Sequence, residues 1–306
     1  MKDLRIIYMG TPEFAVPSLQ TIVENGFNVV AVITAPDKPK GRGQKLATSP
    51  VKDYAVSQDI PVLQPTNLKN PDFIEELKSY DANLQIVVAF RMLPEMVWNM
   101  PEIGTFNLHA SLLPQYRGAA PINWAIINGE KKTGVTTFFL KHEIDTGNVI
   151  FQEEETIKED DTVGDLYVRL MDRGAKLVLK TVEAIQRENY PQLPQNENQE
   201  IKHAPKIFKD TCEIDWTKPS QEIYNFIRGL SPYPAAWTRL NGTHFKIFKA
   251  EKLEMVKAGD QAGDFDTDNK SYLHIQTGSQ ALAITELQMQ GKKRMKIEDL
   301  LRGNNL

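Results

Sequence analysis

Short apolar runs at residues 4–9, 29–33, 61–64 and 84–89 alternate with helix-period segments at 17–25, 51–58 and 72–79. A strand with one wet face alternates apolar and polar residues. The first, second and last of these runs are almost continuously apolar, so both faces must be covered. Strands of that kind separated by amphipathic helices predict βαβ units and a Rossmann-like, mostly parallel α/β sheet. Leu19, Ile22 and Val23 supply the helical stripe of the first crossover, and Gly26 its stop.

The period changes after residue 100. Strands are predicted at 104–108 and 134–139 around a helix at 121–128, then a strand at 149–152 and a long helix at 163–187. These close a first domain at 1–188. Residues 189–207 are polar and carry prolines, which predicts a linker. In 208–306 a helix at 223–230 precedes short strands at 236–240, 245–250, 272–276 and 281–287, separated by Gly, Asn and Asp. That spacing predicts a small antiparallel β-barrel of the oligonucleotide-binding type.

Several function classes drop out on composition. No stretch approaches the ~20 apolar residues that cross a bilayer. The N-terminus enters a strand with no small-residue cleavage site, so a cytoplasmic protein without a secretory signal is expected. Cys212 is the single cysteine, which excludes an internal disulfide and a cysteine-rich metal site. The net charge of −4 conceals an asymmetry: Lys+Arg against Asp+Glu is 20 to 27 over residues 1–200 and 16 to 13 over 201–306, or −7 and +3. Polyanion binding depends on local basic surface, so the total decides nothing.

The first turn, Gly10-Thr11-Pro12-Glu13-Phe14, is not a dinucleotide loop. That loop needs G-x-G-x-x-G, whereas Pro12 has no amide proton and Glu13 would repel phosphates. No phosphate-cradling Walker loop occurs elsewhere. The polar groups that suit chemistry lie between residues 106 and 147. Strand alternation puts Asn107 and His109 on one side, and Ile144-Asp145-Thr146-Gly147 forms a polar turn further on. An amide donor, an imidazole and a carboxylate suit acyl transfer. Taken alone, the same residues also fit a capping Asn, a structural His and a turn Asp. Ser111 is followed by Leu-Leu-Pro, which is no nucleophile elbow.

Asn107-Leu108-His109-Ala110-Ser111-Leu112-Leu113-Pro114, then Tyr116-Arg117-Gly118-Ala119-Ala120-Pro121, then Asp145-Thr146-Gly147, resemble the folate-dependent formyltransferases. Met9-Gly10-Thr11-Pro12-Glu13-Phe14-Ala15, Gly41-Arg42-Gly43-Gln44-Lys45-Leu46 and the C-terminal region look like the branch of that superfamily that acts on aminoacyl-tRNA. The resemblance implies Asn107, His109 and Asp145 as the catalytic trio, with no metal and no covalent intermediate. It implies 10-formyltetrahydrofolate as donor, held partly by Ser111, Leu112, Leu113 and Pro114. The implied acceptor is the α-amine of methionine on initiator methionyl-tRNA, and the chain is expected to act as a monomer without a membrane. Lys38, Lys40, Arg42 and Lys45, in a glycine-bearing basic loop at 36–48, would then contact the tRNA, with Lys292, Lys293, Arg294 and Lys296 adding phosphate contacts. One departure is visible: Ala89-Phe90-Arg91-Met92-Leu93-Pro94 carries Arg91 where the family has a glycine. A relative using a small-molecule amine, or a non-catalytic tRNA-binding module, would share much of this pattern.

Overall fold

The computed structural model describes residues 1–40, 45–198 and 200–303. The chain packs as two compact units. One comprises Met1–Arg117, Gly134–Glu155 and Tyr167–Lys202, the other Gly118–Thr133, Thr156–Leu166 and His203–Leu306.

The first unit opens with β1 (Arg5–Gly10), α1 (Val16–Glu24) and β2 (Asn28–Ile33). A short ribbon follows, β3 (Lys38–Lys40) antiparallel to β4 (Lys45–Ala47), so the stems of the predicted basic loop are paired strands. Next come α2 (Pro50–Ser57), β5 (Val62–Leu63), α3 (Pro71–Ser79), β6 (Leu84–Val88), α4 (Glu95–Trp98) and β7 (Gly104–His109). After α5 (Pro121–Ile127), part of the second unit, come β8 (Lys132–Phe139), β9 (Val149–Thr156) and the 24-residue α6 (Val163–Gln186). Helix starts follow the local chemistry. Ser49 and Asn70 accept from the amides of Lys52 and Asp72, each with proline at the first helical position.

The seven strands run in the order β9-β8-β7-β6-β1-β2-β5. β1 is parallel to β2 and β6, and β6 to β7, while β8 returns antiparallel to β7. As the runs required, Ile6, Ile7, Tyr8 and Met9 are buried on both faces. One face packs Ile7, Met9, Ile33 and Val87 against Phe73, Leu77 and Val97. The chain leaves β1 first toward β2 and later toward β6. The order therefore reverses at the β1–β6 junction, and it is beyond the C-terminal strand ends at such a point that open α/β sheets bind ligands. β7 brings Asn107 and His109 to that end of the sheet.

The second unit packs α5 and α7 (Ser220–Leu230) with an antiparallel half-barrel. Its strands are β10 (Ala236–Leu240), β11 (Thr243–Lys252), β12 (Phe265–Thr267), β13 (Leu273–Ile275), β14 (Leu282–Met289) and β15 (Met295–Lys296), followed by α8 (Ile297–Leu301). The order is β10-β11-β14-β13-β12, with β15 on β14. Asn241 and Gly242, at φ +46° and +78°, form the two-residue turn between β10 and β11. β12, β15 and α8 have no counterpart in the sequence reading. Among the described residues, no helix is long and apolar enough to cross a membrane.

Candidate active site

β7 presents its polar groups because its alternate positions are held in the sheet. Phe106 and Leu108 are buried, and Asn107 and His109 share the other side. The register sets Asn107 beside Val87 of β6 and Phe138 of β8, and His109 beside Thr136. Asn107 is half-buried, and its carboxamide makes no hydrogen bond among the described residues. An amide donor so placed is available to a substrate oxygen.

His109 is 6% exposed, and two groups fix its ring. Nε2 lies 2.9 Å from the carbonyl oxygen of Tyr116, an acceptor only, so Nε2 carries the proton of that hydrogen bond. Nδ1 faces Asp145 Oδ2 at 3.9 Å. That is an ion-pair distance and too long for a hydrogen bond, which leaves the Nδ1 edge partly open. Tyr116 adopts φ +59°, and its amide donates to Lys202 O at 2.6 Å, which aims its carbonyl.

Asp145 sits on its turn at φ +56° with its side chain 13% exposed. Gln195 clamps the turn. Its Nε2 donates to Asp145 O at 2.7 Å and to Gly147 O at 2.9 Å, while its Oε1 accepts from Arg117 Nη2 at 2.7 Å. Arg117 also pairs with Glu197 at 2.8 Å. A Cβ on Gly147 would lie 1.5 Å from Phe139 O, so the turn reaches β8 only with glycine there. The sequence reading passed over Gln195 as part of a polar linker, and nothing in that stretch distinguishes it from its neighbours.

The Ser111–Pro114 segment is held from below by β8 and β9. Thr136 Oγ1 donates to Ser111 O at 2.6 Å and accepts from the Leu113 amide at 3.2 Å. Gln152 Nε2 donates to Leu113 O at 2.8 Å. Ser111, Leu113 and Pro114 are buried and Leu112 is half-buried. The Ser111 hydroxyl donates to Gln115 O at 2.6 Å, which makes it a loop brace.

Arg91, just past the C-terminal end of β6, ties its loop down. Its guanidinium donates to Thr66 O at 3.0 Å and also to Pro65 O, and lies over the Phe90 ring. Lys38 is exposed on the β3–β4 ribbon, and the nearby acid Asp37 is neutralised by Lys52 at 2.6 Å. The hydrogen bonds from Lys52 and Gln64 hold the Asp37 carboxyl below its ordinary value. Arg42 lies outside the described residues, as do the side chains of Lys40 and Lys45.

Residues 4–182 match the formyl transferase family model, and residues 206–305 match the model of the formyl transferase C-terminal domain. The chain belongs to the formyl transferase family. Methionyl-tRNA formyltransferase from Bacteroides fragilis is 55% identical over 100% of this chain and 96% of its own length. The enzyme of that name from Phocaeicola vulgatus is 57% identical over 99% and 96%, and that from Flavobacterium johnsoniae 53% over 99% and 97%. Among solved structures, the sugar 3N-formyl transferase WlaRD, crystallised with dTDP and 5-N-formyl-THF, aligns with TM-score 0.67 at 26% identity, covering 96% of this chain and all of that one. HypX from Aquifex aeolicus, in complex with tetrahydrofolic acid, shares the fold with TM-score 0.63 at 19% identity over 98% of this chain and 47% of its own.

A formyl transferase must polarise one carbonyl and relocate one proton. Asn107 and His109 on β7 and Asp145 on its turn offer the amide, imidazole and carboxylate that such chemistry can use.

Proposed function

We propose that this chain transfers the formyl group of 10-formyltetrahydrofolate to the α-amine of methionine on initiator methionyl-tRNA, for translation initiation. The observation that carries this is full-length identity of 53–57% with enzymes named for that reaction. The chain acts as a monomer in the cytosol.

The chemistry follows from the site. The neutral amine attacks the formyl carbon, a C–N bond forms, and the carbonyl electron pair moves to oxygen. Asn107 donates a hydrogen bond to that oxyanion from a strand position fixed before reaction, so no reorganisation is needed. His109 is oriented by Tyr116 O and charge-balanced by Asp145, and its Nδ1 edge faces the same centre. The bond from formyl carbon to folate nitrogen then breaks. The amine's proton reaches that nitrogen by way of the His109–Asp145 pair and water.

Ser111, Leu112, Leu113 and Pro114 wall the folate side of the crevice. Lys38, Lys40, Arg42 and Lys45 of the 36–48 segment meet the tRNA, and residues 208–306 supply a tRNA-binding domain. The deciding experiment is formyl transfer with 10-formyltetrahydrofolate and charged initiator tRNA. Turnover with methionyl-tRNA supports the reading. Turnover only with a small amine such as an amino sugar nucleotide would sink it.

A further inference from the structure

The segment from Leu193 to Lys202, expected from its composition to be linker, belongs to the first unit. It is anchored at both ends. Leu193 and Val149 exchange backbone hydrogen bonds at 2.8 and 2.9 Å. The Tyr116 amide donates to Lys202 O at 2.6 Å, and the Lys202 amide donates to Gln115 Oε1 at 2.9 Å. Between these anchors the Gln195 side chain reaches the Asp145 turn. Arg117 keys the segment there, with a side chain 12% exposed. Its Nε and Nη2 both donate to Gln195 Oε1, at 3.1 and 2.7 Å, and Nη2 also donates to Glu197 at 2.8 Å.

A carboxamide has two ends of opposite character. The carbonyls of Asp145 and Gly147 only accept and the guanidinium only donates, so Gln195 has one workable orientation, and Arg117 enforces it. Turned over, Oε1 would meet two carbonyl oxygens and the amide group would meet the guanidinium. The Asp145 turn depends on that hold, because a non-glycine residue at φ +56° persists only where its surroundings over-determine it. The preceding residue performs the matching task for the imidazole, since Tyr116 O accepts from His109 Nε2. Two consecutive residues thus fix both members of the pair, Tyr116 through its carbonyl and Arg117 through Gln195. Attraction between the two falls with distance, so the 3.9 Å from His109 Nδ1 to Asp145 Oδ2 has to be held.

We propose that Arg117 is a positioning residue for formyl transfer: by locking the Gln195 carboxamide, it keeps the Asp145 carboxylate at working distance from His109. This rests on the formyl-transfer reading above, in which Asp145 serves His109. In this role the guanidinium touches neither substrate nor the reacting atoms. Its removal therefore slows the chemical step and leaves substrate binding alone, a split that an arginine serving only the fold would not produce.

The test is single-turnover formyl transfer from 10-formyltetrahydrofolate to charged initiator tRNA, with binding of each substrate titrated separately, for wild type, R117M, Q195M and the double variant. R117M should transfer about 3- to 10-fold more slowly, with both dissociation constants within about twofold of wild type. Added to Q195M it should cost almost nothing more, because its effect passes through that residue. Additive losses would place its action elsewhere, and binding weakened as much as the rate would make it a substrate contact. Either result overturns the role, as does a lower melting temperature with an unchanged rate. R117K is the second variant, since it keeps a charge beside Glu197 and can give Gln195 Oε1 one donor. It should regain part of the rate. R117K no faster than a folded R117M would show that the donor to Gln195 is not what was lost. If R117M fails to fold, R117K replaces it in the cycle, where R117K/Q195M should be no slower than Q195M. A wild type that formylates methionyl-tRNA, with R117M at full rate, refutes only the role of Arg117. A wild type that formylates none refutes the proposed function itself.

Discussion

Asn107 has the simplest prediction because its amide is unclaimed. Asn107→Ala should lower kcat/KM for formyl transfer by about 100- to 1000-fold, the usual cost of one oxyanion donor. The folded state should change little, since no described hydrogen bond is lost. Formylation near the wild-type rate would refute the role. Gln195 acts at one remove, by holding the backbone of Asp145 and Gly147. Gln195→Ala should cost roughly tenfold in kcat/KM, and combined with Asp145→Ala it should add almost nothing, as residues acting through one another do. Strictly additive losses in that cycle would show that Gln195 works elsewhere. The difference between the two residues is also one of legibility. Asn107 and His109 share a strand two positions apart, and Asp145 sits in a recognisable turn. Gln195 enters the site from a segment far from β7 in sequence, and the Tyr116 carbonyl, only seven residues past His109, is turned back onto the ring at φ +59°, through contacts no local pattern encodes.

At the level of elements, periodicity identified the parallel strands and their crossovers because burial on both faces leaves a continuous apolar run. It missed the β3–β4 ribbon, whose sequence at 38–47 is basic and glycine-bearing and whose Lys38, Pro39 and Leu46 are exposed, so no apolar alternation marks it. It also gave no sign of how closely α6 approaches the sheet. A Cβ on Gly174 would sit 2.7 Å from Leu108 Cδ2, one residue from His109. Two effects therefore oppose each other in Gly174→Ala. Helix propensity favours alanine by about 1 kcal/mol. Overpacking against a buried strand costs about 1–3 kcal/mol. The second should win, so the variant should melt at a lower temperature and lose activity as β7 shifts. Leu108→Val in the same chain should restore part of both. A Gly174→Ala protein that melts higher than wild type would show that Leu108 yields freely.

Over the whole molecule, charge is divided unevenly, and acid should expose the division. The carboxyl groups held below their ordinary values are Asp37 in the first unit and Glu159, Asp215, Asp268 and Glu286 in the second. Their causes are hydrogen bonds first: Lys52 for Asp37, Lys252 for Glu159, Thr217 for Asp215, Ser271 for Asp268 and Arg294 for Glu286. A depressed carboxyl stabilises the fold above its unfolded value near pH 4, and that contribution disappears as pH falls through the folded value. Asp37 and Glu286 are half-buried and the other three exposed, and each is individually weak. The second unit nevertheless holds four of the five. Overall charge acts in the same direction. Counted over the units themselves, Lys+Arg against Asp+Glu is 18 to 22 in the first and 18 to 18 in the second, so with every carboxyl protonated both carry +18 before histidines, spread over 175 residues in the first and only 131 in the second, where repulsion is denser. Below pH 4 the second unit should therefore unfold first. Three of the four tryptophans, Trp124, Trp216 and Trp237, lie in it, and Trp98 lies in the first unit. Tryptophan emission should accordingly shift at a higher pH than amide protection is lost in β1, β6 and β7. Earlier exchange in those strands would mean that the second unit is the more acid-resistant one, and that its depressed carboxyls contribute less than the repulsion built up in the first.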